Sequence, residues 1–419
     1  MTSDRLAARI DSPYAWFRLA SSLLLSTIAC IGMWSAVVAL PPVQTEFAID
    51  RASASLPFTF VFGGFAFGGA LMGRLADRFG IVVPVTVGAV LLGLGYIGAA
   101  FSTSPWQYTI AYGVIGVGSS AAFAPLMADI SHWFTRRRGM AVSIVSCGSY
   151  AAGTVWPPIV EYAVATLGWR QSHALTGAAT VAIMLPLIFL SLRPRVPITH
   201  AETHLSASAS VEGVFGFSPN ALQAILMVAG IFCCVTMATP QVQIVAYCGD
   251  LGYGLARGAQ MLSLMLALGV VSRLVAGAVA DRLGGLVTLT ILSALQTIAT
   301  IPYILFEGLA ALYLISGVFG LFHGGLIPMY AVTVREYFAP REAGARVGIV
   351  IGATLLGMAL GGWMSGIIFD ATRSYSATFV NAVMWNALNL VILLWLLSRG
   401  RNPSPTQAAL LRNVRCPSA

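Results

Sequence analysis

The chain has 419 residues, 9% of them charged and 58% apolar. A soluble domain carries about 25% charged residues and ~45–50% apolar ones. There is too little charge here to coat a water-soluble globule or to keep a chain unfolded, so soluble enzymes and disordered proteins are excluded and a polytopic membrane protein remains.

The formal net charge is +8, and all 23 basic residues are Arg. Met1–Arg18 carries Arg5, Arg9, Arg18, Asp4 and Asp11, and the apolar run that follows is long enough to span. No cleavable signal peptide is therefore expected. A spanning helix needs about 20 apolar residues. The charge-free stretches are 19–45, 52–73, 79–128, 139–160, 171–192, 213–249, 283–306, 308–334, 347–369 and 374–398. Stretch 79–128 is too long for one helix, and Ser102-Thr-Ser-Pro105 divides it. Residues 258–280 add another helix, interrupted only by Arg273. The total expected is twelve.

Arg placement in short loops sets the orientation. With the N-terminus cytoplasmic, Arg5, Arg9, Arg18, Arg74, Arg78, Arg136, Arg137, Arg138, Arg193, Arg195, Arg282, Arg335, Arg341, Arg346, Arg399, Arg401, Arg412 and Arg415 lie inside. Arg51, Arg170, Arg257 and Arg373 lie outside. Both termini are then cytoplasmic, and the basic excess is a topology signal that gives no reason to expect nucleic-acid binding. Arg136-Arg137-Arg138 reads as an orientation signal and phospholipid contact.

The halves repeat. Gly73-Arg-Leu-Ala-Asp77-Arg78-Phe-Gly80 recurs 204 residues later as Gly277-Ala-Val-Ala-Asp281-Arg282-Leu-Gly284, and Gly113-Val-Ile-Gly116 recurs as Gly317-Val-Phe-Gly320. His132-Trp-Phe-Thr-Arg136 aligns approximately with Glu336-Tyr-Phe-Ala-Pro340. The expected division is a first six-helix bundle over 1–195, a Ser/Ala/Thr-rich cytoplasmic linker over 196–217, a second bundle over 218–400 and a tail over 401–419. A substrate would sit in the seam between bundles.

The Gly73–Gly80 loop resembles the signature loop of the major facilitator superfamily, although Ile81-Val82 replaces the basic pair that usually follows. The segment from His132 to Gly153, together with Pro240-Gln-Val-Gln-Ile-Val-Ala-Tyr-Cys-Gly-Asp250 and Ser272-Arg273, is similar to monocarboxylate-porter-like bacterial members. This resemblance implies an all-α membrane protein of twelve transmembrane helices in two six-helix bundles. It also implies that Gly73, Asp77, Arg78, Asp281 and Arg282 form cytoplasmic gating loops.

Arg273 is eight residues from Asp281, so it lies ~12 Å into a core ~30 Å thick. Holding it there costs at least ~2.5–3.5 kcal/mol, and a guanidinium cannot escape by losing its proton. No acidic residue is expected at mid-depth. Arg273 is therefore a fork for a carboxylate, or else a brace bonded to backbone carbonyls and water. The resemblance implies the first. Animal relatives place an acid one helical turn earlier, where this chain has Gly269. Oxalate carriers add a cation in the eleventh span, and residues 347–369 contain none.

Further substrate-binding candidates are Gln241, Gln243, His323, Tyr150, Trp34 and Tyr330, with His323 also the proton-coupling candidate. Each also has a packing reading, as do Trp156 and Tyr247. Asn381, Asn386 and Asn389 read as packing residues. The six cysteines form no metal spacing and read as reduced packed thiols. No catalytic constellation, metal site or cofactor site is expected.

The expected function is secondary active transport of a small organic monocarboxylate by alternating access. The expected carrier is proton-coupled and monomeric, and sits in a bacterial inner membrane. A carboxylate exchanger, a carrier or exporter of a neutral solute such as a drug or vitamin, and a non-transporting sensor remain alternatives.

Overall fold

The structure, a computed structural model, describes residues 11–134, 137–193, 217–338 and 340–401, with the side chains of 138, 139, 340, 341, 400 and 401 excepted. The expected linker (apart from Phe217) and the tail beyond 401 lie outside the described residues, as do Arg136 and Cys416.

Apolar runs bounded by caps make every element a helix. In the first half, α1 (Pro13–Ala29) and α2 (Ile31–Phe47) form one span. They are followed by α3 (Arg51–Phe79), α4 (Val82–Ala100), and α5 (Pro105–Ser120) with α6 (Ala124–Ser131). The half closes with α7 (Arg138–Ser146) and α8 (Gly148–Leu167), then α9 (Trp169–Ser191). The second half runs through α10 (Pro219–Asp250), α11 (Leu255–Leu283), α12 (Gly285–Thr300) and α13 (Pro302–Leu305). It continues with α14 (Leu309–His323) and α15 (Leu326–Tyr337), α16 (Pro340–Thr372) and α17 (Tyr375–Arg401).

Among the described residues, eleven of these spans are long and apolar enough to cross a membrane. The fifth expected span is α7 plus α8, broken at Cys147. The expectation of twelve holds, but the first, fourth, fifth, ninth and tenth spans are each interrupted within or near the membrane.

The 204-residue repeat is reproduced in three dimensions. Helices α3 and α11 are both 29 residues long and start 204 residues apart. A Cβ on Gly116 would come 2.1 Å from the Val61 carbonyl oxygen, and one on Gly320 would come 2.2 Å from that of Met265. Val61 and Met265 are themselves repeat-related. Each half thus brings two helices into backbone contact through a glycine that admits no side chain.

The halves meet along α3 with α16 and along α8 with α11. Thr59 Oγ1 donates to Ala359 O at 2.8 Å, and Ser263 Oγ donates to Thr154 O at 2.7 Å. The second bond exists because Pro158 lacks the N–H that Thr154 O would otherwise accept. Cβ atoms on Gly362 and Gly366 would strike Phe58 and Ala52 at 2.6 and 2.7 Å. Further along, Gly69, Gly73, Gly277, Gly344, Gly348 and Gly352 face open space. The seam is therefore closed at the rim bearing Arg51 and parted at the rim bearing Arg78.

Candidate functional site

Three broken helices converge on Arg273. The breaks fall at Cys30 between α1 and α2, at Cys147 between α7 and α8, and at Gly324–Gly325 between α14 and α15. A broken helix leaves carbonyls without their N–H partners. The Tyr150 N–H bonds Cys147 O at 3.1 Å, which frees Ser146 O. Gly324 O is freed because the residue four further on is Pro328. Arg273 takes both: Nη1 donates to Ser146 O at 2.6 Å and Nε to Gly324 O at 3.3 Å.

Arg273 is only 8% exposed and makes no ion pair with an acidic side chain among the described residues. Its guanidinium lies 4.1 Å from the centroid of the Tyr150 ring, a cation–π distance. Tyr150 in turn stacks with His323 at 5.7 Å and 27°, and His323 stacks with Phe319 at 4.9 Å and 21°. Gly269 makes room for this stack, because a Cβ there would meet the Tyr150 ring at 2.5 Å.

His323 is fully buried. Its Nδ1 donates to Phe319 O at 3.0 Å, since a carbonyl only accepts. Its Nε2 then accepts from Gln241 Nε2 at 2.9 Å. Gln241 Oε1, Gln243 Oε1 and Ser26 Oγ are buried with no hydrogen-bond partner among the described residues. Ser26 packs against Gly148, beside the break in the fifth span.

The structure thus brings together Arg273, Tyr150, His323 and Gln241. Trp34 joins their edge, donating from Nε1 to Ser149 O at 3.0 Å. Gln243 turns elsewhere and donates to Ser365 Oγ at 2.9 Å. Tyr330 is also apart, with its hydroxyl donating to Asn389 at 3.1 Å. Asn386 and Asn389 knit α17 to Ser293 on α12. Trp156 donates to Thr27 O, and Tyr247 packs on Tyr375 near the closed rim. Asp77 and Arg78 are exposed in the last turn of α3, and Asp281 and Arg282 in the last turn of α11, so these four lie at helix ends and not in loops.

Three clusters escape sequence reasoning. On the closed rim, Arg51 Nη2 pairs with Asp250 at 2.9 Å and Nη1 donates to the Tyr375 hydroxyl at 3.0 Å. There the Asp370 carboxylate accepts the Arg51 and Ala52 N–H groups at 3.0 and 2.7 Å, capping α3 from the other half. At the opposite end, Arg18 is fully buried and pairs with Asp129 through bonds of 2.8 and 2.9 Å. The third cluster is His173, whose Nε2 lies 2.8 Å from Tyr112 OH and 3.1 Å from Tyr108 OH. Shared span ends were the available signal for the first two, and His173 gave none beyond lying in an apolar run.

A helical chain of paired bundles with a buried cation at the seam is the architecture of a secondary transporter. The family model described as Major Facilitator Superfamily matches residues 22–318, and the chain belongs to that superfamily. It is similar to monocarboxylate transporter 11 of Mus musculus, with 27% identity over 88% of this chain and 84% of that one. It is similar to the MFS-type transporter YcxA of Bacillus subtilis, with 25% identity over 84% of this chain and 87% of that one. The fold matches the inward-facing, unoccupied structure of a bacterial homolog of the human lysosomal transporter Spinster at TM-score 0.73. That match has 16% identity and covers 94% of this chain and 99% of that one.

Proposed function

We propose that this superfamily transporter carries a small organic monocarboxylate across a bacterial inner membrane, coupled to a proton. The observation that supports this most is Arg273: a permanent cation, buried at mid-span in the seam, with no acidic side chain to neutralise it. A carboxylate is the natural bidentate partner of a guanidinium. The two carbonyls offset part of the charge and leave further N–H groups for a ligand.

With both termini cytoplasmic, the closed Arg51 rim is periplasmic and the carrier is open inward. Alternating access then rocks the halves about Arg273. Uptake of an anion against an inside-negative potential costs ~2.3 kcal/mol per charge per 100 mV, which a co-transported proton removes. His323, bonded to Gln241 and stacked on Tyr150, is the proposed holder of that proton, which it would take on Nε2 in place of the Gln241 bond.

One observation favours a second reading, the carboxylate exchanger. The Arg273–Ser146 bond ties the two halves, so reorientation has a bond to break unless an anion competes for the guanidinium. Purified protein in liposomes, loaded with a pool of small labelled acids, tests both. Proton-coupled uptake responds to an imposed pH gradient, and exchange does not. Wild-type uptake by Arg273→Ala would overturn the anion reading.

A further inference from the structure

Arg273 reaches a carbonyl that only the next broken helix can offer, and one residue makes that carbonyl available. We propose that Pro328 is a positioning residue for Arg273, acting through the carbonyl of Gly324; this rests on the anion reading of Arg273 given above.

The break between α14 and α15 exposes one acceptor and one donor. Gly324 O has no helical partner because Pro328 has no N–H. Gly325 N–H loses its helical partner in the same turn. The consecutive residues Ser272 and Arg273 of α11 take one each: Ser272 Oγ accepts from Gly325 N at 3.1 Å, and Arg273 Nε donates to Gly324 O at 3.3 Å. The two backbones can meet only because Gly324 is bare. A Cβ there would lie 2.1 Å from Gly269 O.

The consequence is geometric. A guanidinium on a long side chain has several rotamers, and a single carbonyl contact would leave its plane free to turn. Bonded at Nε by Gly324 O and at Nη1 by Ser146 O, with Tyr150 over its face, the plane is fixed. An anion meeting a fixed fork does not have to order it first. An N–H at position 328 would compete for Gly324 O, closing the helical bond and releasing Nε. The break would heal and the fork would loosen.

Pro328→Ala separates this role from a plain kink, because it moves two readouts in opposite directions. The full-length protein is purified in detergent, and its thermal unfolding is followed with sodium propionate, pyruvate and benzoate, each against sodium chloride. We expect Pro328→Ala to unfold at a temperature equal to or above wild type when no carboxylate is present, since a helix-breaking proline has gone. We expect its half-saturating concentration for the responsive carboxylate to rise about fivefold or more. Ser272→Ala, which removes the partner stitch, raises it in the same direction. Arg273→Ala abolishes the response, and adding Pro328→Ala to it changes nothing further.

A wild-type half-saturation in Pro328→Ala, with Arg273→Ala unresponsive, would overturn the positioning role and leave the anion site standing. A wild-type response in Arg273→Ala, or no response by the wild type to any of the three acids, would overturn the anion reading and this inference together.

Discussion

Arg273 of the second half donates to the backbone carbonyl of Ser146 in the first half, at 2.6 Å. The cation at the centre of the seam is thus also a strut across it. On the anion reading proposed above, a carboxylate on the remaining N–H groups draws charge away from the Ser146 bond. Binding would then weaken this strut and couple occupancy to rocking.

That coupling has a kinetic consequence. On that reading, reorientation without an anion has to break the strut unaided, whereas a bound anion has already weakened it. Counterflow of a labelled carboxylate should therefore outrun its net efflux several-fold in liposomes. Equal rates would show that the Ser146 bond is no barrier.

The closed rim depends on Arg51 and Asp370. Asp370 accepts two N–H groups at the start of α3 while Arg51 reaches Asp250 and Tyr375, so four helices from both halves are tied at one point. Arg51→Ala or Asp370→Asn should shift the population toward opening at this rim. A cysteine introduced at Thr59, which is hydrogen-bonded to Ala359 across the seam, should react with a membrane-impermeant thiol reagent at least tenfold faster in either background. The described native cysteines are buried and give a low background. Unchanged labelling would mean that apolar packing of Phe58 against Gly362 alone closes the rim.

Arg18 and Asp129 make a different kind of pair. The arginine side chain is 0% exposed and the aspartate side chain 16%, so the pair is desolvated and joins α1 to α6. Breaking a buried pair from one side leaves an uncompensated charge and costs about 3–5 kcal/mol. Asp129→Leu should therefore destabilise the purified protein strongly, and the double variant with Arg18→Met should recover much of the loss. Denaturant unfolding in detergent measures both, and additive losses would count against the pairing.

Much of the scaffold was legible in the chain itself. Charge spacing sets the span lengths, and the Gly73 and Gly277 loops give the repeat, because lipid tolerates so few charges that their positions are informative. The site was legible in part. Arg273 stands out as a lone charge, whereas the break at Gly324–Gly325, with Pro328 behind it, was not read from the apolar run 308–334. Which aromatic faces the arginine was not legible: Tyr150 reaches it while Tyr330 turns to Asn389, and helix rotation within a uniformly apolar span leaves no pattern to read. The Arg51 cluster was hidden for another reason. Its members come from α3, α10, α16 and α17, and only the relative tilt of the halves brings them together.

The glycines separate structural from conformational roles. A Cβ on Gly116 or Gly320 would enter a neighbouring backbone at 2.1 or 2.2 Å, and backbone cannot give way as a flexible side chain does. Alanine at either position should force the paired helices apart and lower the unfolding temperature by several degrees. Gly73 and Gly277, at the ends of α3 and α11, face open space in this state. Alanine there costs nothing in this state and, by helix propensity, adds up to ~1 kcal/mol of stability. Yet these positions lie where the halves must meet when that rim closes. Gly73→Ala should therefore unfold at or above the wild-type temperature while transporting more slowly, with the lag in reorientation rather than in binding. If Gly73→Ala transports at the wild-type rate, the loop is a tight turn that sets topology and has no part in closing the rim.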